Sequence, residues 1–415
     1  MEISATIPIL ENRRILLGIT GSIAVYKAAD LASKLTQAGM QVDVILSAAA
    51  RKFVTPLTFQ SVTGRKAFTE SDLWGEDAHI LHVGLVEGAD AFMIAPATAN
   101  TIAKLATGQA ESLLTLTALA ARCPLIVAPA MDVGMYENIA TQENVKILLE
   151  RGVIFAGPAE GRMASGLIGK GRMLEPTELI GILRHALGQT GPLDGRKIVV
   201  TAGGTHEPID PVRVLASRSS GKQGFSLAQA AIDRGGSVVL IAGPTTLPTP
   251  VGVRRIDVTT AAEMFEATQE SVENADVLLM AAAVADFRPS ETATEKIKRK
   301  KDVPEITLER TDDILAAVGK LKEKSGWPRV IVGFAAESQK LIENAQSKLE
   351  EKGLDLVVAN DITAADAGFA VDTNRVTLLD RAGGSEELPL MAKTAVAEEV
   401  LQRVVALLDA AEGQT

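Results

Sequence analysis

Short apolar runs alternate with longer stretches of helical period along the chain, and each run delivers the backbone into glycine, proline or small polar residues. Residues 15–19 (ILLGI) end at Thr20-Gly21-Ser22, a 3.6-residue pattern continues to Ala38-Gly39, and residues 42–46 (VDVIL) close at Ser47. This predicts a βαβ unit with a ligand-permissive first turn. Residues 91–95 then run into Pro96-Ala97-Thr98-Ala99-Asn100, and residues 125–128 into Pro129-Ala130-Met131-Asp132. Ligands of open parallel sheets sit outside the carboxyl ends of strands, so three such ends carrying small and hydroxyl residues predict a site. Residues 161–173 (GRMASGLIGKGRM) are too glycine-rich and irregular for a core element and are expected to form a mobile flap.

The helical pattern of residues 178–187 stops at Gly188, and residues 189–195 (QTGPLDG) have the composition of a linker. The expected domains are 1–190 and 191–415. The second half repeats the grammar of the first. Residues 198–200 enter Gly203-Gly204, and a loop holding Arg213, Ser217, Arg218, Ser219, Ser220, Gly221 and Lys222 leads into an amphipathic helix (FSLAQAAIDRG). Cations, hydroxyls and free N–H groups at a helix start suit a phosphate. Residues 238–241 end at Gly243-Pro244, residues 254–258 form another strand, and residues 276–280 run into Ala281-Ala282-Ala283-Val284-Ala285-Asp286. A base or ribose can lie flat against an alanine-rich strand end, with Asp286 available to a ribose hydroxyl, a metal-bound water or an amide. Residues 295–301 (EKIKRKK) are the most basic stretch, and a charge run by itself reads as solvated surface. Both halves are therefore α/β, Rossmann-like, with largely parallel sheets.

Composition narrows the functions. The 415 residues suffice for two cores, and a 47% hydrophobic content is that of a globular protein. An aromatic share of 3% removes stacking platforms, and a net charge of −10 removes the basic footprint of a nucleic-acid binder. Small anions remain possible ligands, because a site can be locally positive in an acidic protein. The one cysteine, Cys123, enters an apolar strand and reads as a buried small hydrophobe. The start, MEISATIPILENRR, lacks a basic and apolar leader, and no apolar run approaches membrane-spanning length, so a cytoplasmic protein without membrane partners is expected.

Four motifs, TGSIAVYKAADLASKL, APATANTIAKLA, PAMDVGMY and GRMASGLIGKGRM, resemble the flavin-dependent cysteine decarboxylases. With the second half included, almost the whole chain resembles the bacterial bifunctional phosphopantothenoylcysteine decarboxylases and phosphopantothenate–cysteine ligases of coenzyme A synthesis. The resemblance implies a flavodoxin-like first domain in which Gly21, Ser22, Ser47, Thr98 and Asn100 hold FMN. It implies that His82, in HVGLVEGAD, is the base. Asp132 stands where the family usually has Asn, and Ser165 where it usually has a catalytic Cys. The implied reaction oxidises the substrate's cysteinyl thiol, releases carbon dioxide and reduces the resulting enethiol, with a proton from that Cys. An alcohol is a far weaker acid than a thiol, and a carboxylate meets the substrate's carboxylate with like charge.

For the second half the resemblance implies a CTP site of Met280, Ala281, Ala282, Asp286, Asp313, Ile314, Phe334, Lys348 and Lys352. Lys296 would close on the activated intermediate from a flexible basic flap, and Mg²⁺ would bridge phosphates. Arg213 would meet an anionic substrate, and Ser217 replaces the loop's usual Asn. The carboxylate of 4′-phosphopantothenate would attack the α-phosphate of CTP, and the amine of cysteine would then displace CMP. The resemblance also implies a homo-oligomer of trimeric flavin domains and dimeric ligase domains, possibly a dodecamer. Two alternatives stay open at this point. One is an active ligase whose flavin domain is a scaffold or stops at the enethiol because of Asp132 and Ser165. The other is a tandem Rossmann-like oxidoreductase, against which the missing G-x-G-x-x-G counts.

Overall fold

The apolar runs become the central strands of two sheets in a computed structural model that describes residues 6–74, 80–298, 305–337, 340–361 and 371–412. Contacts divide the chain into two units, Met1–Leu187 and Gly188–Thr415. No helix among the described residues is long and apolar enough to cross a membrane.

In the first unit, β1 (Arg14–Ile19), β2 (Gln41–Leu46), β3 (Ala67–Phe68), β4 (Ala91–Ala97), β5 (Leu125–Pro129) and β6 (Ile154–Phe155) form one sheet. Its order is β3-β2-β1-β4-β5-β6, and every pairing is parallel. Parallel strands covered on both faces read as continuous apolar runs. Accordingly Ile15, Leu17 and Ile19 enter one core and Leu16 the opposite one. Helices Val25–Gln37 and Pro176–Gly188 help to cover the first face, and Ala99–Thr107 and Ile139–Glu150 the second. The chain reverses its winding between β1 and β4, which opens a crevice at their carboxyl ends. Thr20 ties the two ends together: its hydroxyl donates to Pro96 O at 2.7 Å and accepts from Thr98 N at 3.1 Å.

The stretch expected as an irregular flap is instead an antiparallel hairpin, β7 (Ala159–Arg162) and β8 (Ile168–Arg172). Its glycines serve close packing. A Cβ on Gly171 would lie 2.3 Å from Met131 O, and Met131 N donates to Gly171 O at 3.0 Å. The hairpin is thus fixed backbone to backbone against the loop after β5, while its tip is exposed.

The second unit contains β9 (Lys197–Ala202), the hairpin β10 (His206–Pro208) and β11 (Val214–Ala216), β12 (Ser237–Ala242), β13 (Arg254–Asp257), β14 (Val277–Met280), and the pair β15 (Phe287–Pro289) and β16 (Leu308–Arg310). It continues with β17 (Val330–Glu337), β18 (Leu356–Asp361), β19 (Thr373–Asn374), β20 (Val376–Asp380), β21 (Ser385–Glu387) and β22 (Met391–Ala392). Eight of these form a sheet of order β13-β12-β9-β14-β17-β18-β20-β21. The first six run parallel, and β20 and β21 add an antiparallel edge. Ile198 and Val200 face one core and Val199 the other. The winding reverses between β9 and β14, and threonines again fix the loops there. Ala282 N donates to Thr201 Oγ1 at 3.1 Å, Ala285 N to Thr205 Oγ1 at 3.0 Å, and Thr311 Oγ1 to Ala285 O at 2.6 Å.

The ends of β9 and β12 meet at glycine. Gly203 has φ +83°, and a Cβ on Gly243 would lie 2.4 Å from Gly204 O. Backbone cannot yield as a side-chain tip can, so Gly243→Ala should cost about 1–3 kcal/mol as an overpacking change. A lower denaturant midpoint for the second unit is the expected result, and an unchanged midpoint would contradict this packing.

Candidate active sites

Five expected residues of the first unit, Gly21, Ser22, Thr98, Asp132 and Ser165, line one cavity of about 500 Å³ at the carboxyl ends of β1, β4 and β5. That volume lies in the usual range of cofactor pockets. Gly21 is required by close approach, since a Cβ there would lie 2.5 Å from the Cβ of Ala49. Thr98 caps the helix Ala99–Thr107, its hydroxyl accepting from Thr101 N. Ser47, directly after β2, donates its N–H to Ile19 O at 3.0 Å but is not among the residues that line the cavity. Asn100 is exposed on its helix, and His82 sits half-buried on the helix Leu81–Val86; neither lines the cavity. Cys123 is half-buried rather than buried, and burial pushes its thiol up.

The two residues that depart from the family pattern are bonded to each other. Ser165 Oγ donates to Asp132 Oδ2 at 2.5 Å, while Asp132 Oδ1 accepts from Gly134 N at 3.2 Å. The hairpin tip brings Ser165 to the loop after β5. The sequence reading did not single out Lys27 on the same wall. Its buried ammonium donates to Met173 O at 3.0 Å and Glu175 Oε1 at 2.6 Å, tying the first helix to the chain beyond the hairpin.

In the second unit, Met280, Ala282, Asp286, Asp313, Ile314, Phe334, Lys348 and Lys352 surround a cavity of about 690 Å³. Asp313 caps the helix Ile314–Ser325 and accepts from Lys352 Nζ at 2.6 Å. Burial would raise the Asp313 carboxyl, but Lys352 and the Ala316 N–H outweigh it and hold it below its ordinary value. Lys348 Nζ donates to Phe334 O at 2.7 Å. A second cavity of about 330 Å³ is lined by Ala281 and by residues 219–222, which lead into the helix Lys222–Ile232, and shares Ala282, Asp286, Phe334 and Lys348 with the first. Among the described residues no group of three or more His, Cys, Asp or Glu could hold a metal ion.

Three residues expected near the substrate stand elsewhere. Ser217 is exposed, Lys296 is exposed, and neither lines these cavities. Arg213 is bonded to the buried Asp210, through Nε at 2.9 Å and also through Nη2. Arg213 and the N–H groups of Val212, Ile297 and Arg213 hold the Asp210 carboxyl well below the usual carboxylate range. The pair grips the basic segment through both backbone polar groups of one residue: Ile297 N donates to Asp210 Oδ2 at 3.1 Å, and Arg213 Nη2 donates to Ile297 O at 3.0 Å. Residues 299–301 of the basic run lie outside the described residues.

Two α/β units, each with a cavity at the winding reversal of its sheet, define a tandem enzyme of the nucleotide- and flavin-binding fold class. A family model described as DNA/pantothenate metabolism flavoprotein C-terminal domain matches residues 193–408, and one described as Flavoprotein matches residues 6–188. The coenzyme A biosynthesis bifunctional protein CoaBC of Bacillus subtilis (strain 168) is 43% identical over 401 residues, 96% of this chain and 98% of that protein. That of Escherichia coli (strain K12) is 39% identical over 403 residues, again 96% and 98%. A crystal structure of the C-terminal domain of a CoaBC protein is 38% identical and covers 53% of this chain and 98% of its own, with a TM-score of 0.45. The chain belongs to the CoaBC family of coenzyme A biosynthesis bifunctional enzymes.

The grip on Ile297 generates a test. Asp210→Asn removes the charge that holds Arg213 and the Ile297 N–H, so trypsin should cut after Lys296 and Lys298 about fivefold faster than in the parent, because local opening exposes the bond. Unchanged cleavage would mean that the Asp210–Arg213 pair does not restrain the segment.

Proposed function

We propose that the second unit joins cysteine to 4′-phosphopantothenate at the expense of CTP, and that the first unit decarboxylates the product to 4′-phosphopantetheine with FMN. The observation that carries the ligase reading is the pair of connected cavities around Asp286, Phe334 and Lys348. The larger suits a nucleotide, with Asp313, Lys348 and Lys352 on its wall. The smaller offers Ser219, Ser220 and the N–H groups of the helix Lys222–Ile232 to an anionic substrate.

Carboxylates do not react with amines, so the carboxylate must first gain a leaving group. Its oxygen attacks the α-phosphorus, the bond to pyrophosphate breaks, and a mixed anhydride forms. The amine nitrogen then bonds to the acyl carbon, the C–O bond breaks with its electron pair leaving on CMP, and the amine's proton passes to solvent. Protein groups chiefly orient the reactants and offset charge. Mg²⁺ would accompany the nucleotide, with Asp286 on the cavity wall as the carboxylate that would help to hold it, and would offset phosphate charge; magnesium is commonly bound through one or two carboxylates plus substrate phosphates. Lys296, on the segment gripped by Asp210 and Arg213, would neutralise charge on the transferring phosphate.

FMN fits the first unit's cavity: small residues and hydroxyls line the strand ends, and Met131 and Ala130 supply an apolar wall. The flavin, when bound, supplies the two-electron oxidation and reduction around carbon dioxide loss. The chain's own task is to exclude water and manage a proton. Ser165 donates to Asp132, so the two would act together where a single thiol would otherwise serve. A cytoplasmic homo-oligomer, of the trimeric and dimeric domains set out above, belongs to the same reading.

Purified protein should carry or bind FMN with its absorbance, and should release pyrophosphate from CTP when given 4′-phosphopantothenate without cysteine. Lys296→Ala should slow that release by about 10²–10³-fold with the flavin spectrum intact. Unaltered release would remove Lys296 from the mechanism, and a protein that ignores added FMN would remove the flavin reading. If Ser165 and Asp132 work as one unit, Ser165→Ala and Asp132→Asn should each lower formation of 4′-phosphopantetheine by about 10²-fold, and the double variant by little more. Additive losses would show two separate roles.

A further inference from the structure

The larger cavity of the second unit has little free positive charge for a polyanionic ligand. Its lining includes three cations, Arg310, Lys348 and Lys352, against four carboxylates, Asp313 among them. Lys352 Nζ is committed to Asp313 Oδ2 at 2.6 Å, and Lys348 Nζ to Phe334 O at 2.7 Å. Arg310 differs from both. It is exposed, and among the described residues it makes no hydrogen bond or ion pair. A guanidinium presents a rigid fork of N–H donors that matches phosphate oxygens two at a time.

Strand geometry aims this side chain. β15 and β16 pair antiparallel with Phe287 opposite Arg310 and Arg288 opposite Glu309. Residues directly opposite each other in such a pair share a face, and successive residues alternate between faces. Phe287 and Arg310 both line the cavity, whereas Arg288 and Glu309 do not and are ion-paired with each other at 2.8 Å. The face of the ribbon turned to the cavity is therefore the one that carries Phe287 and Arg310. The next residue is pinned to the floor loop: Thr311 N donates to Asp286 O at 3.1 Å, and Thr311 Oγ1 to Ala285 O at 2.6 Å. The root of the arginine is fixed while its head is unengaged.

The cavities also say which part of the nucleotide it meets. Both are lined by Ala282, Val284, Asp286, Phe334 and Lys348, and the α-phosphorus must lie at that shared wall if the attacking carboxylate comes from the smaller cavity. Arg310 lines the larger cavity alone, so it meets the nucleotide away from the α-phosphate. Base and ribose are uncharged there, and an unpaired guanidinium gains most from the β- and γ-phosphates. We infer that Arg310 holds the pyrophosphate end of the nucleotide and the pyrophosphate that leaves. The assignment rests on the ligase reading given above. When the bond from the α-phosphorus to the bridging oxygen breaks, the electron pair stays on that oxygen, and Arg310 faces the added charge.

The test uses product inhibition of the full chain, with Mg²⁺ present, in the parent, Arg310→Met and Arg310→Lys. Pyrophosphate should inhibit Arg310→Met about tenfold more weakly than the parent, the loss of hydrogen bonds to a charged group, and the KM for CTP should rise by a similar factor. Inhibition by CMP, which lacks the β- and γ-phosphates, should stay within about twofold, as should the KM values for 4′-phosphopantothenate and cysteine. Arg310→Lys keeps the charge and loses the fork, so it should fall between the two. Weaker inhibition by CMP with unchanged inhibition by pyrophosphate would overturn the assignment. So would equal losses for both products, or no change in either. Because Arg310 is exposed, its replacement should leave the denaturant midpoint unchanged, which separates a binding loss from a folding loss. Absence of pyrophosphate release from the parent would instead sink the ligase reading, and the assignment with it.

Discussion

Each unit depends on holding two strand ends apart and in register where a parallel sheet reverses its winding. The crevice is forced by topology, but its shape is not, and a small set of hydroxyl bonds fixes it. Thr20 bonds to both Pro96 and Thr98, so the ends of β1 and β4 move as one. Thr201, Thr205 and Thr311 do the same for the loop from Ala281 to Asp286. Because these hydroxyls bond to the main chain of the loops that line the cavities, they convert sheet geometry into site geometry. Small residues at the strand ends then leave the backbone reachable by a planar ligand.

Chemistry follows from what is placed over those floors. In the second unit, Lys348 on the helix Leu341–Glu351 and Lys352 at its end line the larger cavity while bonded to Phe334 O and Asp313, which orients them. In the first, the hairpin brings a hydroxyl to a carboxylate. The two differences from the family pattern are therefore one contact.

Much of this was legible in the sequence because it is local. Apolar runs that end in glycine or alanine located β1, β4, β9 and β14, and residues after β1, β4 and β14 line cavities. The hairpin of residues 159–172 was not legible, because its pattern is set by backbone contact with Met131 and not by side-chain burial. Asn374 and Lys393, which with Asn360 line the smaller cavity of the second unit, were missed for a related reason. They are distant in sequence from the other wall of their cavity, and they sit beside two-residue strands that leave no periodic signal. Asn360 could have been found, since residues 356–360 (LVVAN) obey the same strand-end rule as residues 276–282. The family resemblance implied that Arg213 meets a substrate anion, and neither it nor the residue's charge reveals that Asp210 three residues earlier already accepts from it.

The central claim is that the two units act in succession on one substrate. Mass spectrometry of the purified chain incubated with 4′-phosphopantothenate, cysteine, CTP and Mg²⁺, following every product over time, tests it most directly. Transient phosphopantothenoylcysteine followed by accumulating 4′-phosphopantetheine is the predicted result. Accumulation that stops at phosphopantothenoylcysteine, with flavin bound, would contradict it and leave the ligase unit as the working half.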